Sequence, residues 1–137
     1  MKAVVDTKVV AYYLLGTEPF LEEVRQFWRT IEGACAPAHW EAEMANAVWM
    51  AVRTGVLLTE EGHQKLDLAA RLGIESVATR SFWQPALTRA VMTGAAVYDA
   101  LFVELAVQRH LPLATFDQKV LKQFPEIAHR PGSLPSN

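Results

Sequence analysis

Paired cysteines, long apolar runs and an excess of positive charge are all missing from this 137-residue chain. With one cysteine, Cys35, it can form neither an internal disulfide nor a cysteine-based zinc site. No apolar run approaches the roughly 20 residues that a membrane span needs. The N-terminus also lacks a basic segment followed by an apolar stretch of about 7–15 residues, the mark of a signal peptide. A reducing cytoplasm is therefore the expected location, with no membrane partner. A net charge of −2 excludes a protein that holds nucleic acid by bulk electrostatics alone. It does not exclude an enzyme that meets nucleic acid at one site. There is no internal repeat, low-complexity block or linker. Aspartate is scarce, with only Asp6, Asp67, Asp99 and Asp117.

What is present reads as one globular α/β domain. Hydrophobic residues make up 51% and charged ones 20%, enough for a real core at this length. Ala3-Val4-Val5 is a buried strand candidate that ends at Asp6. Lys8 to Leu15 fits either helix or strand by periodicity, and Gly16 stops it. Thr17 is expected to cap a helix with Pro19 in its first turn and Phe20, Val24, Phe27 and Ile31 on one face, ended by Gly33. Ala34-Cys35-Ala36 is a second strand, and a helix follows from about His39 to Thr54, closed by Gly55. Thr59 opens a helix to Leu72, and Ile74 to Ala78 is a third strand. Ser81 opens a helix containing Pro85, and Val97 to Arg109 is strongly helical. Leu111 to Thr115 is the last convincing strand, followed by a short helix from Gln118 to Phe124. Strands alternating with helices predict a mainly parallel sheet between helical layers. The domain should span residues 1–129, with 130–137 a flexible, Pro/Gly/Ser-rich tail.

Three of the aspartates stand in apolar settings. Asp6 and Asp117 each follow a strand, and the C-terminal ends of strands in an open parallel sheet line the functional crevice. Asp99 opens the apolar helix Tyr98-Asp99-Ala100-Leu101-Phe102-Val103. Asp67 lies in a polar helical stretch and needs no function. Glu43, in Glu43-Met44-Ala45-Asn46-Ala47-Val48-Trp49, has small or apolar neighbours on most sides. Each acid alone admits a plain structural account: Asp6 and Asp117 as caps, Asp99 as a helix-start carboxylate, Glu43 as a half-exposed helix residue. Their conjunction points elsewhere. Converging carboxylates repel unless a cation joins them. Oxygen-only donors suit magnesium or manganese, which can activate water against a phosphodiester.

Taken together these segments resemble the PIN-domain family, and within it the VapC-type toxins of toxin–antitoxin pairs. The resemblance runs from Val4 to about Phe124. Val5-Asp6-Thr7 is similar to the opening Asp-Thr-Asn motif, and Glu43 to Trp49 to the Glu helix, with Arg53 and Gly55 behind it. Tyr98-Asp99-Ala100-Leu101 is similar to the third acidic motif, and Leu113-Ala114-Thr115-Phe116-Asp117 to the final strand with the fourth acid. The resemblance implies a three-layer α/β/α sandwich and an endoribonuclease using Mg2+ or Mn2+. Asp6, Glu43 and Asp99 would be metal ligands, with Asp117 binding directly or through water. Thr7 and Thr115 would orient the carboxylates. RNA would be the substrate, a small antitoxin and a second copy of the chain the partners. One departure stands out: Lys8 replaces the motif's Asn, and its ammonium could pair with Asp6, contact a phosphate or point away.

Other functions stay open on the residues alone: an α/β interaction module whose acids merely cap helices, or a metal-dependent hydrolase of small phosphoesters. His39, His63, His110 and His129 show no ligand spacing and read as surface or boundary residues. Among Arg53, Arg80, Arg89, Lys119 and Lys122, the one closest to an acid is Lys119, a candidate phosphate contact. Trp28, Trp40, Trp49 and Trp83 read as core or dimer packing. Tyr12 and Tyr13 are better candidates for stacking on a base.

Overall fold

A computed structural model of the chain describes residues 1–135. Its centre is a five-stranded sheet of order β3-β2-β1-β4-β5, with every neighbouring pair parallel. The strands are β1 (Lys2–Val5), β2 (Gly33–Pro37), β3 (Glu75–Val77), β4 (Leu113–Ala114) and β5 (Ala128–His129). Helices α1 (Thr7–Leu15) and α2 (Leu21–Thr30) connect β1 to β2, and α3 (Trp40–Arg53) and α4 (Thr59–Ala70) connect β2 to β3. Helices α5 (Trp83–Thr93) and α6 (Val97–Arg109) lead back to β4, and α7 (Gln118–Gln123) leads to β5.

The strand order fixes the layers. Right-handed crossovers place the helices of the β1→β2→β3 walk on one face and those of the reversed walk on the other. The packing agrees. Helix α1 contacts α2, α3 and α4, whereas α6 pairs with α5 and lies on β1, β2 and β4. The α/β/α sandwich expected from the sequence is the fold. β1 and β4 are adjacent although the walk reverses between them, so their C-terminal ends form the topological switch point of the sheet.

The core explains why α6 carries almost no polar stripe. Ala100 to Ala106 are all buried, seven residues that circle the helix, as expected of a helix covered on every side. Glu104 is among them and its charge is met by Arg89, whose Nε donates to Oε2 at 2.9 Å. No single helix among the described residues is long and apolar enough to cross a membrane.

Several boundaries differ from the sequence reading. The ambiguous segment after Asp6 is helix α1. Thr17 caps no helix: the Phe20 N–H bonds its carbonyl at 3.1 Å in a turn, and α2 starts at Leu21. That turn lets the Phe20 ring stack on Tyr12 at 4.6 Å. Gly33 does not end the helix, which stops at Thr30, but opens β2 opposite Lys2. Residues 130–134, expected as a loose tail, fold back. β5 pairs with β4, a 3-10 turn at Pro131–Ser133 packs on α2, and Arg130 pairs with Glu23 at 2.6 Å. Residues 136 and 137 of that expected tail lie outside the described residues.

Candidate metal centre

Asp6 owes its place to the β1–β4 ladder. Its backbone N–H donates to the Ala114 carbonyl at 3.0 Å, which sets it beside Thr115. It precedes α1 in extended conformation, yet its side chain makes no cap bond to that helix. Instead Oδ2 accepts from the Thr115 hydroxyl at 2.7 Å. The same Oγ1 accepts the Asp117 N–H at 3.0 Å. A fully buried threonine thereby links the first acid to the backbone of the fourth.

Glu43 stands in the first turn of α3, and its Oε1 accepts from the Thr7 hydroxyl at 2.7 Å. Thr7 is buried on α1, one residue after Asp6. Both threonines singled out in the sequence therefore hold carboxylates. Asp99 is in the first turn of α6. Asp117 plays the structural part considered for it: Oδ1 accepts the Lys119 and Val120 N–H groups at 2.9 and 3.2 Å, capping α7.

The electrostatics show that the four acids share one region. Burial pushes the Asp6 carboxyl up from 3.8 to about 6; the Thr115 bond opposes this, while Glu43 and Asp99 add to it. Asp99 is also raised, by burial first, then by Asp117 and Glu43, against the pull of His39 and Lys119. Lys8 is exposed, and no ion pair joins it to Asp6 among the described residues. The departure from the motif leaves the first acid uncompensated.

An oxygen-only donor set of this charge suits a hard divalent cation. Among the described residues, however, no three His, Cys, Asp or Glu side chains already stand close enough to enclose one ion. Asp6 and Asp99 line a narrow cleft with Phe102, Leu113, Thr115 and Val120, too tight for a water-sized sphere. Glu43 and Asp117 are held by their own hydrogen bonds, to the Thr7 hydroxyl and to the first turn of α7. Carboxylate rotation is what an arriving ion would require. The larger cavities lie elsewhere, one of about 290 Å³ between α3, α4 and β3.

A model of the PIN domain family matches residues 3–128. The chain belongs to the PIN-domain family. PIN domains are generally nucleases. No curated protein matches the chain. Solved structures share the fold. PAE2754 from Pyrobaculum aerophilum has a TM-score of 0.71 at 18% identity, covering 98% of this chain and 91% of its own. VapBC2 from Rickettsia felis, solved bound to a DNA fragment from their promoter, scores 0.65 at 14% identity over 95% and 98%. FitAcB from Neisseria gonorrhoeae scores 0.64 at 20% identity over 98% and 100%.

Two residues at this PIN site escaped the sequence reading. His39, taken as a surface or boundary residue, lies 3.8 Å from Glu43 Oε1, with its ring 4.9 Å from that of Phe102. Both ring nitrogens are buried without a hydrogen-bond partner. Burial lowers its pKa against the opposing pull of Glu43. The i,i+4 spacing to Glu43 was the available signal. Arg130 is the other. Its guanidinium lies 4.8 Å from the centroid of Phe116, the residue between Thr115 and Asp117. No local pattern announces a contact across the intervening helix and strand, α7 and β5.

Proposed function

We propose that this PIN domain is a Mg2+- or Mn2+-dependent endoribonuclease, the toxin of a VapBC-type toxin–antitoxin pair. The observation that supports this reading is that carboxylates from four distant segments act on one another's charge at the switch point, with no ion pair to Lys or Arg at any of the four among the described residues. Asp6, Glu43 and Asp99 would hold the ion, and the free Oδ2 of Asp117 would reach it directly or through water. A bound divalent ion supplies a Lewis acid for the phosphate and lowers the pKa of a coordinated water. The chain's own part is orientation. Thr115 fixes Asp6, Thr7 fixes Glu43, and the apolar walls of Phe102, Leu113 and Val120 keep bulk water from screening the acids. Lys119, close enough to Asp99 to lower its pKa, is placed to meet a phosphate oxygen.

Partner binding has its own support. Trp83, Leu87 and Val91 recur at helical spacing along α5 and are 48, 52 and 76% exposed, an apolar row suited to a second copy of the chain or to an antitoxin. Cytoplasmic residence goes with that role.

Titration calorimetry with Mn2+, followed by cleavage of labelled RNA, tests the reading. Asp6→Asn and Asp99→Asn should each abolish measurable Mn2+ binding and lower cleavage by on the order of 10³-fold. Absent Mn2+ binding, binding indifferent to both changes, or cleavage of a chromogenic phosphomonoester alone would overturn it.

A further inference from the structure

The acids leave unexplained a second cluster, where α1 meets α2. Tyr13, Arg25, Trp28 and Arg29 line an open cavity of about 210 Å³. The two rings lie 5.8 Å apart with 37° between their planes. No acidic side chain lines the cavity.

Arg25 and Arg29 are exposed and one turn apart on the same face of α2. Like charges at that spacing repel, and neither has an ion-pair partner among the described residues. An anion between them would remove the repulsion. The Trp28 Nε1 is buried without an acceptor, an unusual state for an indole donor. Helix-dipole compensation explains Arg29 in the last turn but neither Arg25 nor the orphan nitrogen. Tyr13 and Trp28 pack one side against the core, Trp28 edge-on to Phe27 at 5.2 Å, and are only partly buried. Neighbouring Tyr12 turns the other way, into a stack with Phe20 and Phe116, and leaves Tyr13 and Trp28 beside the arginines.

We propose that this cavity is a second contact site for single-stranded RNA. A base lies against Tyr13 and Trp28, and the adjoining phosphates pair with Arg25 and Arg29. Aromatic faces beside guanidinium groups suit an unpaired strand, since every base presents a π-face and every nucleotide a charge. A chain of net charge −2 needs such a local patch, because it has no general attraction for the polymer. Tyr13 is six residues beyond Thr7 on α1, roughly 9 Å along the helix axis and about a third of a turn around it, so the cavity is a site apart from the acids. The choice of RNA as the polymer rests on the ribonuclease reading; the cavity itself does not.

Anisotropy of a labelled eight-nucleotide RNA, measured with the full chain in EDTA, tests this. Arg25→Ala/Arg29→Ala should weaken binding about tenfold, with a log–log salt slope shallower by about 1.4, two phosphates at about 0.7 each. Tyr13→Leu should weaken binding about tenfold with the slope unchanged, a division that general unfolding would not produce. An acidic octapeptide without bases should not compete. Unaltered affinity and slope in the double arginine variant, or full competition by the peptide, would overturn the proposal. With Mn2+ added, the double variant should show a raised KM on the same RNA. Binding with these dependences but no cleavage by wild type would sink the ribonuclease reading alone. Cleavage indifferent to the two arginines would sink this one alone.

Discussion

The switch-point crevice and the C-terminal strap, the fold-back of residues 130–134 onto α2, use the same kinds of side chain to opposite ends. In the strap Glu23 meets a guanidinium: Arg130 donates to its two oxygens at 2.6 and 3.2 Å, and the Gly132 N–H adds a bond of 2.9 Å. The Arg130 hydrogen bond holds the Glu23 carboxyl below its usual range. At the crevice, burial and carboxylate neighbours push Asp6 and Asp99 above theirs. A satisfied acid fastens one element to another. A buried one among other carboxylates carries its charge at a cost in lost hydration and repulsion, which a proton or a cation relieves. This contrast, more than the identity of any one residue, is what singles out the crevice as the proposed site.

The comparison breaks most visibly with pH. Asp6 has a folded pKa above its unfolded value, so the stability it allows is fully present below about pH 4 and lost as pH rises through about 6. A shift from 3.8 to about 6 corresponds to roughly 3 kcal/mol. In metal-free protein, Asp6→Asn should therefore gain up to about 3 kcal/mol over wild type at pH 7 and nothing near pH 4, as read by urea denaturation. A constant difference across that range would mean that Asp6 is not under strain. Glu23→Gln, on α2 beneath the strap, should show the opposite sign, losing most at neutral pH.

Thr115→Val sharpens the contrast within the crevice. It removes the hydroxyl that joins Asp6 to the Asp117 backbone while keeping the side chain's shape. Mn2+ affinity should fall by about 10–100-fold, with secondary structure intact by circular dichroism. Affinity equal to wild type would show that the acids need no orienting hydroxyl.

The smallest expected effect belongs to the strap. Arg130→Ala should lower stability by about 1–2 kcal/mol in urea denaturation, since its pair with Glu23 is partly exposed. The exposed Arg109–Glu75 pair is the control, and Arg109→Ala should change stability by less than about 1 kcal/mol. Equal losses from the two would mean that the strap is no more than a surface ion pair.

Much of this was legible along the chain. Runs such as Ala3-Val4-Val5 and the periodic stretches from Trp40 and Val97 announce their own elements, because local propensity and burial agree there. The acids were visible as polar residues in apolar company. β5 was not, because a two-residue strand after Pro125 carries no periodicity. The strap was not either, since composition around Pro131 and Gly132 reads as a tail wherever its partner cannot be seen. That Thr7 and Thr115 orient carboxylates was suggested by resemblance alone; which acid each serves was not, as the hydroxyls lie 36 and 109 residues from Glu43 and Asp6.

By itself the sequence determined the alternation of strands and helices and supplied Asp6, Glu43, Asp99 and Asp117, since backbone preference and side-chain chemistry are local properties. Only the tertiary structure decided that these acids act on one another's charge, that Asp117 spends one oxygen on a helix cap, and that Arg130 reaches Phe116. Those outcomes depend on which strand ends adjoin, and a parallel sheet sets that through crossovers that no short window of sequence contains.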